Sequence, residues 1–211
     1  MRRRGGKGLD NETTTTACQA PEPAASLSEE ATAKDSSAAL AAQARAGDEG
    51  AFLELMGDSR DRLLRIALAY LRSEEAALEA IQETTLRAYM KLGKLKEPAY
   101  FQTWLIRILM NVCIDEQKRR RRQRPAEWLP EAPAAEFGMP GVDDRLRMEE
   151  AIAELEPKLR QVVILKYYDD MTLTEIARLL EKPEGTVKTW LNRALAKLRA
   201  WMREGEARDE G

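Results

Sequence analysis

The most informative feature of this chain is an absence, because none of its 211 residues is a histidine. Without histidine the chain lacks the usual general base, the usual activator of a nucleophile and the commonest zinc ligand. Only two cysteines are present, Cys18 and Cys113, which is too few for a zinc site built from thiolates alone. The composition therefore argues against an enzyme, and we expect no catalytic residues, no bound metal and no cofactor.

Disulfides and membrane segments are also not expected. The two cysteines lie in unlike surroundings, so a structural disulfide is improbable and a reducing cytoplasm is the default location. Arg2, Arg3 and Arg4 resemble the charged start of a secretory signal, but residues 5–37 contain no apolar run to follow it. No later stretch is long enough to span a bilayer. We therefore expect a soluble cytoplasmic protein without membrane insertion.

Charge is nearly balanced overall but unevenly placed along the chain. The formal net charge is −2, which by itself does not suggest a nucleic-acid partner. Residues 118–124, however, carry six cations and no acid, whereas residues 127–156 carry nine acids against two arginines. The sequence thus predicts two oppositely charged surfaces.

Composition divides the chain into five parts. Residues 1–35 are polar and poor in large aliphatic side chains, so we expect a disordered tail. Residues 36–122 and 145–204 show helical periodicity, and residues 123–144 hold four of the nine prolines, which is typical of a linker. Residues 205–211 are expected to fray. The predicted fold is all-α, with two small helical domains joined by a flexible linker and a C-terminal domain of four helices that includes a helix-turn-helix.

The N-terminal domain should begin with a helix from residue 36 and a second from Asp48 to Leu71, with a possible break at Gly57. Ser73 should cap a third helix. We expect its inward stripe to contain Leu78, Ile81, Ala88, Tyr89 and Leu92.

The other side of that third helix carries a ridge of charges at intervals of four residues. Acidic Glu79 and Glu83 precede basic Arg87 and Lys91, and Gln82 lies beside them. A self-paired, solvent-exposed helix face is the ordinary explanation for such a ladder. The residues alone do not decide between that explanation and a binding surface.

Pro98 should start the next helix, which runs into the basic segment 118–122. Aromatic side chains beside a cationic run are a recurrent arrangement for single-stranded nucleic acid, in which bases stack on rings and phosphates meet cations. The spacing of Phe101 and Trp104 favours core positions instead. Tyr100, off that stripe, is the better candidate for a nucleic-acid contact.

A helix-turn-helix is predicted near the C-terminus. Thr172 and Glu175 have the spacing of a capping box, which starts a short helix over Leu173–Leu180. Pro183 suits the first position of a second helix that continues through Arg199. The outer face of this second helix mixes cations with hydrogen-bonding side chains and carries no carboxylate, so it is suited to the major groove of DNA.

Three motifs in this order resemble the sigma-70 family of bacterial RNA polymerase sigma factors, in its small extracytoplasmic-function (ECF) group. Residues 79–83, Glu-Ala-Ile-Gln-Glu, are similar to the family's region 2.2 signature. Residues 101–115 resemble regions 2.3 and 2.4, and residues 183–194 resemble region 4.2. The resemblance covers residues 48–199.

The resemblance implies an alternative-type sigma factor that binds core RNA polymerase, directs it to specific promoters and promotes strand opening. The implied partners are core RNA polymerase, through its largest-subunit clamp and its flap, promoter DNA and an anti-sigma factor, and the implied location is the nucleoid when the chain is bound to polymerase. The implied polymerase-binding residues are Glu79, Gln82, Glu83 and Arg87. The implied contacts to the minus-ten element are Lys94, Lys96, Tyr100, Gln102, Arg107, Asn111, Lys118, Arg119, Arg120, Arg121 and Arg122. The implied contacts to the minus-thirty-five element are Thr186, Lys188, Thr189, Asn192, Arg193 and Lys197.

Three departures from the family pattern and one alternative function remain. Glu79 stands where aspartate is usual and Ala80 where leucine is usual; both keep the helix, and Ala80 is expected to loosen its packing. Trp190 replaces a common arginine, and we favour packing at the domain boundary over contact with DNA sugars for it. The competing function is a dimeric or ligand-controlled helix-turn-helix regulator that binds duplex DNA without polymerase. A helical adaptor without nucleic acid would not explain the acid-free face of the last helix. The sequence does not specify the promoter, the inducing signal or the anti-sigma factor.

Overall fold

The computed structural model describes residues 36–123 and 142–209, and every regular element in these ranges is helical. The predicted all-α class is therefore confirmed. The α-helices are α1 (36–45), α2 (Glu49–Leu71), α3 (Glu74–Lys91), α4 (Phe101–Gln123), α5 (Val142–Glu154), α6 (Pro157–Tyr167), α7 (Leu173–Leu180) and α8 (Glu184–Asp209), and two 3-10 turns, Leu92–Lys94 and Pro98–Tyr100, join α3 to α4.

We refer to α1–α4 as the N-terminal domain and to α5–α8 as the C-terminal domain. The expectations for the tail at 1–35 and for residues 124–141 of the linker lie outside the described residues. Among the helices described, none is long and apolar enough to cross a membrane.

Side chains cap the starts of α2 and α3, and Ser73 is the predicted cap of α3. The Asp48 carboxylate accepts from the backbone N–H of Ala51, and the Ser73 hydroxyl accepts from that of Ala76. Each side chain satisfies one of the N–H groups that the first turn of a helix leaves without a partner. Helix α2 continues without interruption through Gly57, so the expected break there is wrong. A single glycine costs a helix only about 1 kcal/mol, which packing of the flanking apolar residues outweighs.

The inward face of α3 differs from the prediction at two of five positions, since Ala88 and Leu92 are buried as expected and Ile81 packs against the core. Leu78 and Tyr89 are 40% and 50% exposed, although both were expected to face the core. The buried positions of α3 are mostly small: Ala76, Ala77, Ala80, Thr84 and Ala88. Small side chains allow α3 to lie close to α2 and α4, and this close packing places the larger side chains outside.

The substitution at Ala80 is accommodated by this packing. Ala80 is only 2% exposed and belongs to the hydrophobic core. Thr84, one turn further along, satisfies its buried hydroxyl by donating to the Ala80 carbonyl oxygen at 2.6 Å. The alanine therefore leaves α3 in contact with its neighbours.

The C-terminal domain contains the four expected helices, with the helix-turn-helix formed by α7 and α8. Thr172 and Glu175 form both hydrogen bonds of the capping box. Helix α7 ends at Glu181, which has a left-handed backbone with φ of 54°. Helix α8 begins at Glu184, one residue after the predicted start. It continues to Asp209, so it includes residues 205–209, for which we expected a frayed end.

Candidate polymerase and nucleic-acid interfaces

The outer face of α8 is open to solvent along the predicted DNA-reading surface. Its inward face is formed by Val187, Leu191, Ala194 and Leu198, which are all buried. Facing away from them, Lys188, Thr189, Asn192 and Arg193 are exposed, and Thr186 is half-buried. The cations and the amide on this face are therefore available to a phosphate backbone and to base edges.

Lys197, at the far end of the same face, already has a partner. Its Nζ atom lies 3.1 Å from Glu156 Oε1. Hydrogen bonds from Lys197 and Lys158 lower the pKa of Glu156 below its usual range. Because all three side chains are well exposed, this pair is weak enough to exchange for a phosphate contact.

Two further contacts fix the turn of the helix-turn-helix. The Thr174 hydroxyl donates to Glu184 Oε2 at 2.9 Å, which joins α7 to the first turn of α8. Trp190 is half-buried and packs against the hydrophobic core, as expected for a packing role. These contacts hold α8 against the rest of its domain.

The charged ridge of α3 is cross-linked to α4. Arg87 Nε lies 2.6 Å from Glu83 Oε1, and Arg87 Nη1 lies 3.6 Å from Asp115 Oδ2. Glu79 Oε2 lies 3.8 Å from Arg119 Nη2. The ridge is thus partly self-paired, as the ordinary explanation of such a ladder requires. The paired side chains keep between a third and two thirds of their surface exposed, so a partner can still reach them.

Beside the ridge lies an apolar surface that the sequence analysis missed. Leu53, Leu86, Tyr89 and Met90 are between 50% and 74% exposed, and the first three, with Gln82, line a groove between α2 and α3. The Tyr89 hydroxyl donates to Glu49 Oε1 at 3.0 Å, and this acceptor raises the pKa of Tyr89. The spacing of Gln82, Leu86 and Met90 by one turn each could have revealed this surface. We had instead assigned Tyr89 to the core.

The segment between α3 and α4 presents Tyr100 and two lysines. Tyr100 is 47% exposed, whereas Phe101 is 1% exposed and part of the core, so the predicted core position of Phe101 is confirmed. Lys94 and Lys96 are exposed. Arg45 Nη1 donates to the carbonyl oxygens of Leu95 and Lys96 at 3.1 and 3.0 Å, which holds the segment against α1. The sequence carried no signal for this role of Arg45.

The predicted contacts on α4 differ in accessibility. Asn111 is exposed, whereas Gln102 is half-buried and its Nε2 atom donates to Ser59 Oγ at 3.0 Å. Arg107 extends to α7, where its guanidinium pairs with the Glu181 carboxylate and donates to a backbone carbonyl oxygen. In this conformation Asn111 is the most accessible of the three.

The basic run at the end of α4 is partly neutralised by one acid. Glu116 lies 2.7 Å from both Arg119 Nε and Arg120 Nε. Arg119 and Arg120 lower the pKa of Glu116, and Glu116 raises the pKa of Arg119. Lys118 and Arg122 are exposed, and the side chain of Arg121 lies outside what the structure describes.

Two family models match the chain, one on each domain. The model described as Sigma-70 region 2 matches residues 55–123, and the model described as Sigma-70, region 4 matches residues 145–198. The matches agree with the order of motifs in the sequence.

Curated relatives and solved structures support the same assignment. The ECF RNA polymerase sigma factor SigW of Bacillus subtilis is 31% identical over 77% of this chain and 94% of its own length. The ECF sigma factor SigM of Mycobacterium tuberculosis is 31% identical over 77% of this chain and 83% of its own length. CnrH, solved in complex with the cytosolic domain of CnrY, superposes with a TM-score of 0.62 at 26% identity, covering 80% of this chain and 98% of CnrH.

A fourth comparison concerns the fold alone. The sigma factor RpoE of Bartonella quintana, in complex with the anti-sigma factor NepR, has a TM-score of 0.53 at 20% identity, covering 68% of this chain and 91% of RpoE. Together with the family models, these relatives show that the chain belongs to the sigma-70 family of RNA polymerase sigma factors, in its ECF subfamily. It is an alternative sigma factor that directs RNA polymerase to promoters.

Proposed function

We propose that the two domains divide the work of initiation between them. Residues 36–122 act as sigma region 2, which binds core polymerase and opens the minus-ten element. Residues 145–204 act as sigma region 4, which binds the minus-thirty-five element, and residues 123–144 tether the two. The proposal is supported by the order of the motifs and by the separate surfaces that the two domains expose.

The observation that carries the proposal is the outer face of α8. Its inward residues are buried, while Lys188, Thr189, Asn192 and Arg193 are exposed together. Lysine and arginine neutralise phosphates or pair with guanine, and asparagine makes two hydrogen bonds to adenine. We assign Thr186 and Lys197 to the edges of the same surface. This helix reads the minus-thirty-five element in the major groove.

Polymerase binding is assigned to α3. Glu79, Gln82, Glu83 and Arg87 supply charge and hydrogen bonds to the clamp of the largest subunit, and the neighbouring apolar groove supplies buried area. Exposed apolar patches rimmed by polar residues are typical of protein interfaces. A surface that combines both is suited to a stable polymerase contact.

Strand opening is assigned to Tyr100 and to the cations and amides around it. Unpaired bases can stack on the exposed Tyr100 ring, and such stacking contributes about 1–3 kcal/mol per base, against a cost of a few kcal/mol for unpairing a base. Lys94, Lys96, Lys118 and the arginines 119–122 would hold the phosphates. Gln102, Arg107 and Asn111 would contact the opened strand.

No catalytic role is assigned to any residue, because the RNA chemistry belongs to polymerase. CnrH was solved in complex with the cytosolic domain of CnrY, and RpoE in complex with the anti-sigma factor NepR. We infer that an anti-sigma factor also binds this chain. The working location is the cytoplasm, at the nucleoid when the chain is bound to polymerase through the clamp and the flap.

In vitro transcription with purified core polymerase and a pool of promoter fragments tests the proposal. Promoter-specific transcripts that form only when the chain is added would support it. The competing function, a helix-turn-helix regulator controlled by a ligand or by dimerisation, predicts tight binding to palindromic duplex DNA without polymerase. A stable binary complex on such DNA, with no transcripts, would favour the regulator.

A further inference from the structure

The segment between α3 and α4 is held in place by one arginine of α1. Arg45 Nη1 lies 3.1 Å from the Leu95 carbonyl oxygen and 3.0 Å from the Lys96 carbonyl oxygen. This nitrogen carries two of the N–H donors of the guanidinium, so it can donate one hydrogen bond to each oxygen. The acceptors lie 50 and 51 positions from Arg45 in the chain. The contact is therefore part of the tertiary structure of the N-terminal domain.

The backbone of Arg45 is fixed by the way in which α1 ends. Ala44, 4% exposed, packs this last turn on the core. The Gly47 N–H donates to the Ala44 carbonyl oxygen at 3.0 Å, and the Asp48 N–H donates to the Gln43 carbonyl oxygen at 3.1 Å. With Gly47 at φ of 107°, these two bonds form a Schellman motif, which ends a helix at a defined residue. Arg45 is therefore presented from a rigid helix end.

The connecting segment, residues 92–100, consists of two 3-10 turns with a joint between them. The Leu95 N–H closes the first turn by donating to the Leu92 carbonyl oxygen at 3.0 Å, and the Tyr100 N–H closes the second at 3.0 Å. Leu92 and Leu95, 6% and 4% exposed, anchor the first turn in the core. Arg45 binds at the joint. It therefore holds the second turn relative to the first.

The side chains that the connecting segment exposes are those assigned to strand opening. Lys94 precedes the joint, Lys96 lies in it and Tyr100 follows it, and all three are exposed. The ring and the cations can bind neighbouring nucleotides of one strand together only if the two turns keep a fixed relation. Ordering the turns before binding lowers the entropy that binding must overcome. Arg45 supplies this order through backbone carbonyls and leaves the three side chains available.

Arg45 acts within its own domain, unlike two other arginines of that domain. Arg62 of α2 donates to both carboxylate oxygens of Asp169, at 2.6 and 2.9 Å, and Arg107 pairs with Glu181. Those two contacts reach the C-terminal domain and depend on where it lies. The contact of Arg45 does not depend on the C-terminal domain. The connecting segment therefore keeps its shape wherever the N-terminal domain binds.

We propose that Arg45 is a positioning residue for strand opening, which holds the connecting segment in the shape that binds unpaired bases. Arg45 precedes residues 55–123, the part of the domain that the region 2 model matches, so the match assigns it no role. The inference rests on the proposed function for the role of Tyr100 and the two lysines. The hold of Arg45 on the segment does not depend on that function.

Hydrogen exchange in the full-length chain tests this hold. Arg45→Ala should raise the exchange rate of the amides in residues 92–100, because the joint loses two hydrogen bonds and the turns open more often. Arg60→Ala removes an exposed arginine of α2 and should leave that rate unchanged. Circular dichroism should show the same helix content in both variants. An exchange rate in Arg45→Ala equal to that of the parent chain would overturn the proposal.

Binding to a fluorescent single-stranded 20-nucleotide DNA, measured by anisotropy without polymerase, tests the consequence for strand capture. Arg45→Ala should bind about tenfold more weakly than Arg60→Ala, because the loss of hydrogen bonds from a charged donor disfavours the binding shape by about this factor. The two variants have the same net charge, so a general effect of charge would weaken both alike. Equal affinities would therefore overturn the positioning role.

A variant without the exposed side chains of the segment separates positioning from a direct contact with DNA. Lys94→Ala/Lys96→Ala/Tyr100→Ala lacks the groups that Arg45 positions, so adding Arg45→Ala should weaken binding by less than about twofold. A loss as large as in the parent background would show that Arg45 binds the strand itself, which contradicts the proposal. If the triple variant binds DNA as tightly as the parent chain, the proposed strand-opening function fails. The exchange measurement, which uses no DNA, still decides whether Arg45 holds the segment.

Discussion

Glu83 and Arg87 form an ion pair one helical turn apart on α3, with Arg87 Nε 2.6 Å from Glu83 Oε1. Arg87 also reaches Asp115 of α4, with Nη1 3.6 Å from Oδ2. The pair thus belongs to a small network that fixes the two side chains on the surface assigned to polymerase. Binding through charged side chains that are already ordered costs less conformational entropy than binding through mobile ones.

Glu83→Lys should weaken polymerase binding by about tenfold or more, since it reverses a charge at the centre of the ridge and places two cations together. The measurement is the affinity of a fluorescent chain for purified core polymerase. Asp58→Lys, an exposed acid of α2 outside the ridge, is the matched control and should bind normally. Binding of the minus-thirty-five duplex should be unaffected in both variants. Unchanged polymerase affinity of Glu83→Lys would show that the ridge does not bind polymerase.

Two substitutions on α8 should weaken DNA binding in different ways. Asn192→Ala should reduce the free energy of binding to the preferred DNA site by about 1–3 kcal/mol. It should also relax the base preference at the contacted position, because contacts to bases carry sequence specificity. Lys188→Ala should weaken binding to all DNA sequences alike. It should also lower the salt dependence of the binding constant by about one released counterion. Fluorescence anisotropy with duplexes recovered from the transcription assay measures both effects. Arg203→Ala, an exposed cation further along α8, should have neither effect.

Thr172→Ala should destabilise the C-terminal domain by about 0.5–2 kcal/mol, because it removes the hydroxyl that accepts from the Glu175 backbone N–H at 3.2 Å. Urea unfolding followed by circular dichroism measures the change. Thr172→Ser keeps the hydroxyl and should be close to the parent chain. Equal losses in the two variants would mean that the methyl group, not the cap, stabilises this helix.

The Glu116 cluster should make the stability of the N-terminal domain depend on pH. Because Arg119 and Arg120 lower the folded-state pKa of Glu116 from its ordinary 4.5, its stabilisation is fully present above that pH. It is lost as pH falls through the lower folded-state pKa. The difference in unfolding midpoint between the parent chain and Glu116→Gln should therefore shrink on acidification from pH 7 to pH 3. A difference that stays constant would show that Glu116 is not the titrating group.

The helix-turn-helix could be predicted from sequence because its signals are local. The capping residues Thr172 and Glu175 lie three positions apart, and the apolar residues from Val187 to Leu198 recur at helical spacing. Both patterns report on backbone hydrogen bonds and burial within one or two turns. The structure reproduces the capping box and this buried stripe.

The face of α3 could not be predicted correctly from the same kind of pattern. The predicted stripe combined the large side chains of Leu78 and Tyr89 with Ala88, and of these three only Ala88 is buried. Hydrophobicity favoured the large side chains, whereas close packing against α2 and α4 requires small ones. That choice depends on the spacing of neighbouring helices, which the sequence of α3 does not contain.

The contacts between the domains were equally beyond prediction. Arg62 and Asp169 are 107 positions apart, and each is an ordinary charged residue in its local sequence. Arg107 was assigned to DNA because of its motif, and nothing nearby indicated its contact with Glu181. Long-range pairing of surface charges requires the relative placement of two domains.

Binding of the full chain to purified core RNA polymerase at low salt tests the central claim most directly. We expect a stoichiometric complex that transcribes from specific promoter fragments. A correctly folded chain, with the helix content verified by circular dichroism, that fails to associate with core polymerase would contradict the account.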